Sequence, residues 1–268
     1  MAHIAVLGLG NWGTAIARLW LLEGHKVTGW TIEQEVYESI TMSETNEKYL
    51  PNHPVPGLDA TMHLSEAVEG AEIVVLAVPS SVILDVMEDV LPHLQPGHVL
   101  LDLAKGLAPG KRLISEAIHT RLKEEGKTNP LAVLTGPTIA PEAAGGVMTT
   151  ALVASEDQAI AQRLAQTLST PSFILHPASD PVGAELWGAY KNVVALACGL
   201  VDGLKQVGDL GGDNLKAAIF MSGFKEGCLL LAELGARAEV AFGPAGLGDM
   251  YVTCLLYTSD AADDDACV

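Results

Sequence analysis

Positive charge is scarce in this sequence: 15 lysines and arginines stand against 33 aspartates and glutamates, a formal net charge of −18. A chain this acidic repels polyphosphate at long range, which excludes nucleic acid as a partner. A small anionic ligand is still possible, because it needs only a few local donors. Part of the excess sits at one end, where Asp260, Asp263, Asp264 and Asp265 fall within the last nine residues. Cysteine is sparse too. Cys198, Cys228, Cys254 and Cys267 form no CxxC pair, and three of them lie in apolar segments. That pattern fits buried thiols in a reducing cytosol, not a disulfide or zinc framework. His25, His53, His93 and His119 are scattered without metal-ligand spacing, so no metal is expected. Apolar runs of about 18 residues are missing. The apolar N-terminus lacks a basic flank and is broken by Gly8, Gly10, Gly13 and Arg18. The sequence therefore reads as soluble and cytoplasmic, with no membrane insertion and no secretion signal. Neither a P-loop nor a Ser-His-Asp arrangement is visible.

What is present is ample apolar material. Hydrophobic residues make up 49% of the 268 positions and charged residues 18%, enough core for one large domain or two ordinary ones. Short β-rich runs alternate with helix-length segments. His3–Leu7, Lys26–Trp30, Glu72–Val78, His98–Leu103 and Leu131–Thr135 read as strands. Helices are expected over Trp12–Glu23, from Ser80 or Ser81 to about Leu94, and over Arg112–Glu125. Continuous apolar strands alternating with helices imply a parallel sheet covered on both faces. Near Pro177–Pro181 the character changes. Val182–Val207 and Asn214–Leu234 read as long helices with no strong strand after them. The expected architecture is α/β: a Rossmann-type doubly wound sheet over residues 1–177, then an all-helical second domain over 178–254. From about Leu255 the periodicity is lost, and 255–268 reads as an acidic, non-native or disordered tail.

The sharpest motif is Gly8-Leu9-Gly10-Asn11-Trp12-Gly13, placed after a strand and opening a helix. Gly8 permits a tight turn, Gly10 lets backbone approach a pyrophosphate, and Gly13 lets the helix pack on the strand. The helix N-terminus then offers free N–H groups to phosphate. Gly8, Gly10, Asn11, Trp12 and Gly13 are the expected cofactor contacts. The second strand runs into Trp30-Thr31-Ile32-Glu33, with no arginine for a 2′-phosphate. Glu33 tilts the reading of NAD or NADP toward NAD, although it also suits the first turn of the next helix.

Further motifs follow in order: GLGNWGTA (Gly8–Ala15), KYLP (Lys48–Pro51), AVPS (Ala77–Ser80), AKGL (Ala104–Leu107), GPTIAPE (Gly136–Glu142), KNVVALACG (Lys191–Gly199), GDNLKAAI (Gly212–Ile219) and GLGDMYVTC (Gly246–Cys254). With these, the sequence resembles the bacterial type of NAD(P)-dependent glycerol-3-phosphate dehydrogenase over about residues 3–254. The resemblance implies reversible hydride transfer between sn-glycerol 3-phosphate and dihydroxyacetone phosphate, supply of glycerophospholipid synthesis, a helical C-terminal domain and a homodimer. A β-hydroxyacid dehydrogenase and a non-catalytic dinucleotide-binding remnant stand as the alternatives.

Removing hydride from a secondary alcohol also requires removing the hydroxyl proton, and the reverse reaction needs an acid. Lys191, in an otherwise apolar helix, is the candidate, since desolvation lowers an amine's pKa toward the working range. The resemblance makes its counterpart the general acid/base. Asn192 beside it either orients substrate or bonds to backbone. Lys105 follows a strand at the sheet's carboxyl edge, where ligands sit; it is expected to contact both substrate and cofactor. Gly136 and Thr138 hold the equivalent edge of a later strand and are expected at the substrate. The resemblance adds Asp249 to the substrate site, where it pairs with or orients the lysine, and Ala140 to the cofactor contacts. Lys48 and Tyr49 match a loop near the cofactor but are assigned no role.

Two departures stand out. The family follows its Thr-Cys pair with Ser-Arg-Asn, whereas here Ser259 is followed by Asp260. Met221-Ser222-Gly223 replaces a usual Thr-Arg-Gly. An aspartate repels a phosphate that an arginine would grip, and the family's remaining helices do not follow. The second domain thus reads as incomplete, and weak turnover is expected.

Overall fold

In the computed structural model, which describes residues 1–208 and 211–256, eight strands form one sheet. They are β1 (His3–Leu7), β2 (Lys26–Trp30), β3 (Asp59–Thr61), β4 (Ile73–Leu76), β5 (Val99–Asp102), β6 (Leu131–Thr135), β7 (Thr149–Ala154) and β8 (Phe173–Ala178). The spatial order is β3-β2-β1-β4-β5-β6-β7-β8, and every pair is parallel except β6 with β7. The order reverses at β1, which lies between β2 and β4. That is a switch point, where an open parallel sheet leaves a crevice at its carboxyl edge.

Helices α1 (Asn11–Leu22), α2 (Gln34–Ser43), α3 (Leu64–Val68), α4 (Ile83–Val90), α5 (Ile114–Glu124), α6 (Ala140–Ala144) and α7 (Gln158–Leu168) connect the strands. Side chains alternate across a strand, so each inner strand feeds two cores. Ile4, Val6, Val75, Leu101 and Leu134 pack with Ile16 and Trp20 of α1 and Leu164 of α7. Ala5, Leu7, Val74, Leu76 and Leu100 pack on the opposite face with Val86 and Met87 of α4 and Ile118 of α5. Full burial of each such Leu, Ile or Val contributes about 1.5–3 kcal/mol.

Among the described residues four α-helices follow: α8 (Pro181–Val207), α9 (Asp213–Glu233), α10 (Ala238–Ala241) and α11 (Asp249–Leu256). Asp180 caps α8, accepting from Gly183 N at 2.9 Å, and its other oxygen accepts from Arg237 N at 2.7 Å. Trp187, Val194, Ala195 and Cys198 of α8 pack with Leu231, Met250 and Cys254, and with Leu152 and Ala154 of β7. Glu185 fastens α8 to the sheet layer. Its carboxylate accepts from Ser115 N at 2.9 Å and from the Ser115 hydroxyl, both in the first turn of α5. Burial pushes that carboxyl above its ordinary range, against the pull of the serine.

The expected α/β architecture with a helical second part is what the chain adopts. Some local boundaries differ. The helix expected from Ser80 starts at Ile83 without a side-chain cap, and beyond Val90 it tightens to a single 3₁₀ turn around Pro92, which has no N–H to donate. Strands β3, β7 and β8 have no counterpart among the strands read from the sequence. Helix α11 carries regular structure to Leu256, past the point where periodicity fades. The rest of the acidic tail, with Ser259, Asp260 and Cys267, lies outside the described residues. Cys198 and Cys254 are buried and Cys228 half-buried. Among the described residues, no helix is long and apolar enough to cross a membrane.

Candidate active site

The glycine-rich turn sits at the switch point. Gly8 has φ +110°, and a Cβ there would start 2.5 Å from the Ala77 carbonyl oxygen beyond β4. A Cβ on Gly13 would start 1.9 Å from the Gly8 carbonyl oxygen. A Cβ on Gly10 would meet nothing within 4 Å. The first and last glycines are thus required by the protein's own packing, while the middle one faces open space. The first intrahelical bond of α1 runs from Thr14 N to Gly10 O at 3.0 Å, which leaves the amides of residues 11–13 without helical partners. Asn11 Oδ1 is buried and without a partner among the described residues. The Trp12 side chain points into the core, edge-on to Phe173 with ring centroids 6.0 Å apart. Only its backbone remains at the turn.

Sequence reasoning missed Asn46. It is fully buried, and its amide donates to Leu9 O and to Thr14 Oγ1, each at 2.8 Å. Its Oδ1 accepts from Tyr49 N at 3.1 Å. Asn46 therefore ties the loop carrying Lys48 and Tyr49 to the glycine turn. Lys48 Nζ lies 2.5 Å from Glu33 Oε2 and also pairs with Glu35, while Tyr49 OH donates to Glu33 Oε1 at 2.8 Å. Glu33 occupies the N-cap position of α2 without a side-chain capping bond. Partial burial raises its carboxyl, but the bonds from Lys48 and Tyr49 outweigh this and hold it below the usual range.

Farther along the same edge, Lys105 follows β5 and Gly136 follows β6. A second missed residue, Asp102, shapes the first of these turns by accepting from Ala104 N at 2.9 Å. Burial pushes the Asp102 carboxyl well above its ordinary range, against the pull of that amide. Lys105 Nζ donates to Gly136 O at 3.2 Å, and Thr138 Oγ1 donates to the same carbonyl at 3.2 Å. Gly136 is pressed against β7, so a Cβ would start 2.9 Å from Ala151 Cα. Ala140 is buried at the start of α6.

The helical part delivers the remaining groups. Trp187, Lys191, Val194, Ala195 and Cys198 recur at helical spacing on the buried face of α8, so Lys191 is inserted among apolar neighbours. Asn192, one residue on, is exposed. A π-helical turn over Pro244–Gly248 presents Asp249 at the start of α11. Lys191 Nζ donates to Asp249 Oδ1 at 2.7 Å, and Lys105 Nζ lies 3.3 Å from Oδ1 and 3.2 Å from Oδ2. Asp249 Oδ2 accepts no well-directed hydrogen bond among the described residues. Both members of the Lys191–Asp249 pair are almost wholly buried, with side-chain exposures of 3% and 2%. Burial pushes the Lys191 ammonium down to about 8; Lys105 pushes the same way and Asp249 opposes. The structure therefore brings together Lys105, Gly136, Thr138, Lys191 and Asp249. Gly8, Gly10, Asn11 and Gly13 form their own cluster at the switch point.

Comparison with known proteins finds relatives over both parts of the chain. The N-terminal domain family of NAD-dependent glycerol-3-phosphate dehydrogenase matches residues 3–161, and the C-terminal domain family matches residues 180–260. Glycerol-3-phosphate dehydrogenase [NAD(P)+] of Rhodospirillum rubrum is 41% identical over 253 residues, covering 94% of this chain and 70% of the relative. The glycerol-3-phosphate dehydrogenase structure from Coxiella burnetii superposes with a TM-score of 0.87 at 33% identity, covering 99% of this chain and 77% of that one. The Saccharomyces cerevisiae enzyme gives a TM-score of 0.80 at 27% identity, covering 96% and 81%. A switch-point glycine turn, a helical partner carrying a buried lysine and these matches over both halves lead to one conclusion: the chain belongs to the NAD-dependent glycerol-3-phosphate dehydrogenase family.

Proposed function

We propose that this chain reduces dihydroxyacetone phosphate to sn-glycerol 3-phosphate with NADH or NADPH, and runs the reverse oxidation. In this reading residues 1–177 hold the dinucleotide and residues 178–254 supply the proton donor and part of the substrate site. The carrying observation is the buried ammonium of Lys191, paired to Asp249 beside Lys105 at the sheet's carboxyl edge. The open space over Gly10 and the unpartnered first-turn amides fit a diphosphate. Gly8, Gly10, Asn11, Trp12 and Gly13 would hold it through backbone, with Lys105 and Ala140 farther along. When bound, the nicotinamide supplies or accepts the hydride. Lys191 gives its proton to the carbonyl oxygen during reduction and takes it back during oxidation. Asp249 fixes the lysine's direction. Lys105 keeps the local charge positive, which suits a developing oxyanion. Lys105, Gly136, Thr138, Asn192 and Asp249 surround the phosphorylated substrate.

A donor near pH 8 fixes the sign of the pH dependence. Ketone reduction needs the ammonium, so kcat falls as pH rises through about 8. Alcohol oxidation needs the free amine, so kcat rises over the same interval. The test is nicotinamide oxidation with dihydroxyacetone phosphate across that range, with a β-hydroxy acid as the parallel substrate in the oxidative direction. The expected result is turnover with the phosphorylated pair alone and opposite slopes in the two directions. Because Asp260 stands where the family has arginine, the rate is expected to be low. Parallel slopes, or turnover only with the hydroxy acid, would refute the reading.

The same reading includes a cytoplasmic homodimer supplying glycerophospholipid synthesis. Val193, Leu196 and Leu200 of α8 are 65%, 69% and 66% exposed at helical spacing, an apolar row suited to a second copy. Light scattering is expected to give twice the chain mass, falling toward one chain mass in Leu196→Glu. A monomer at tens of micromolar would remove the dimer from the proposal.

A further inference from the structure

The dinucleotide reading leaves open which dinucleotide is taken. Glu33 stands just past β2, the strand next to the glycine turn, and Gly8 N donates to Trp30 O at 3.0 Å across the two. Its carboxylate is gripped by Lys48 Nζ at 2.5 Å and Tyr49 OH at 2.8 Å. Both come from the loop that Asn46 fastens to Leu9 of the glycine turn and to Thr14 in the first turn of α1. Phosphate cradle and carboxylate are thus held in one frame, and Glu35 is a second carboxylate paired with Lys48.

We propose that the Glu33–Lys48–Tyr49 clamp is the element by which this chain selects NAD over NADP, an inference that rests on the dinucleotide reading above. A ribose 2′-hydroxyl donates to a carboxylate; a 2′-phosphate carries roughly two negative charges and is repelled by it. Lys48 looks like a phosphate ligand in sequence, but here it is spent on two carboxylates. Its role is to aim Glu33, not to bind the 2′ position. Lys48 and Tyr49 are accordingly specificity-determining through Glu33.

Direct binding tests this without turnover. Titration calorimetry of the full chain with NADH and NADPH, no substrate present, is expected to give a Kd for NADPH at least about tenfold weaker, as one like-charge contact at the rim of a solvated site implies. In Glu33→Gln the NADPH value should tighten about threefold while NADH weakens about threefold, which closes the gap. In Glu33→Gln/Glu35→Gln, with Lys48 released, NADPH should become the tighter ligand. Adding Lys48→Ala should take that last gain away. These side chains are at least partly exposed, so unchanged circular dichroism is expected throughout. Equal affinities in the unaltered chain, or a Glu33→Gln effect identical for both nucleotides, would overturn the selectivity inference and leave the binding reading intact. Failure to bind either nucleotide would overturn both.

Discussion

Replacing Lys191 with methionine is expected to lower kcat about a thousandfold, some 4 kcal/mol of barrier, while the Kd for NADH stays within a few-fold. Methionine keeps the unbranched apolar stem, one atom shorter, but removes the proton. It also removes a costly buried ammonium. Asp249 keeps its ion pair with Lys105 at 3.2 Å, so no carboxylate is left wholly uncompensated. Thermal stability should fall, but by less than for a buried pair broken with no second cation, because Lys105 still compensates the carboxylate. Lys191→Arg should not rescue activity, because guanidinium holds its proton far above pH 8 and cannot cycle it. A residual rate above about a tenth in either variant would remove Lys191 from the proton-donor role.

Gly13→Ala and Gly10→Ala are expected to fail for different reasons. A methyl at 13 starts 1.9 Å from the Gly8 carbonyl oxygen, so α1 must move away from the turn. Overpacking of this kind costs about 1–3 kcal/mol or more. The melting temperature should fall, and NADH binding with it, by a hundredfold or beyond detection. Position 10 meets no protein atom within 4 Å and has φ −71°, which alanine adopts without strain. There the melting temperature should stay within about two degrees, while the methyl stands where a diphosphate needs to come closest and NADH affinity still drops at least tenfold. The pair of variants separates a glycine kept for packing from one kept for a ligand. If Gly10→Ala binds NADH normally, the cradle reading of the turn is wrong.

Strands β1, β2, β4, β5 and β6 were legible because their signals are local, whereas β3, only three residues long, offers no such run. The glycine spacing announces the first strand–turn–helix unit, and β6 and the two long helices fall within a residue of their expected bounds. Strand β8 was hidden by its own chemistry. Its side chains alternate between buried and exposed, and Pro177 sits inside it. Proline is tolerated there because β8 is the last strand in the sheet. The cluster around Lys191 is harder to read from spacing. Lys191 and Asp249 lie 58 residues apart, and only the family resemblance joined them before the fold did. Asn46 and Asp102 gave no signal, since each works by holding backbone in loops whose course a sequence does not reveal. Glu33 allowed two readings, ribose partner and first-turn acid. The fold puts it at the N-cap, yet spends its carboxylate on Lys48 and Tyr49.

Glu185 bears on how the site is assembled. One acid clips the opening turns of α8 to the opening turn of α5, away from water, through two bonds to a single serine. The shaft that bears Lys191 is therefore anchored like a bracket, not hung like a door. In the proposed mechanism the proton donor therefore stands in place before any ligand arrives.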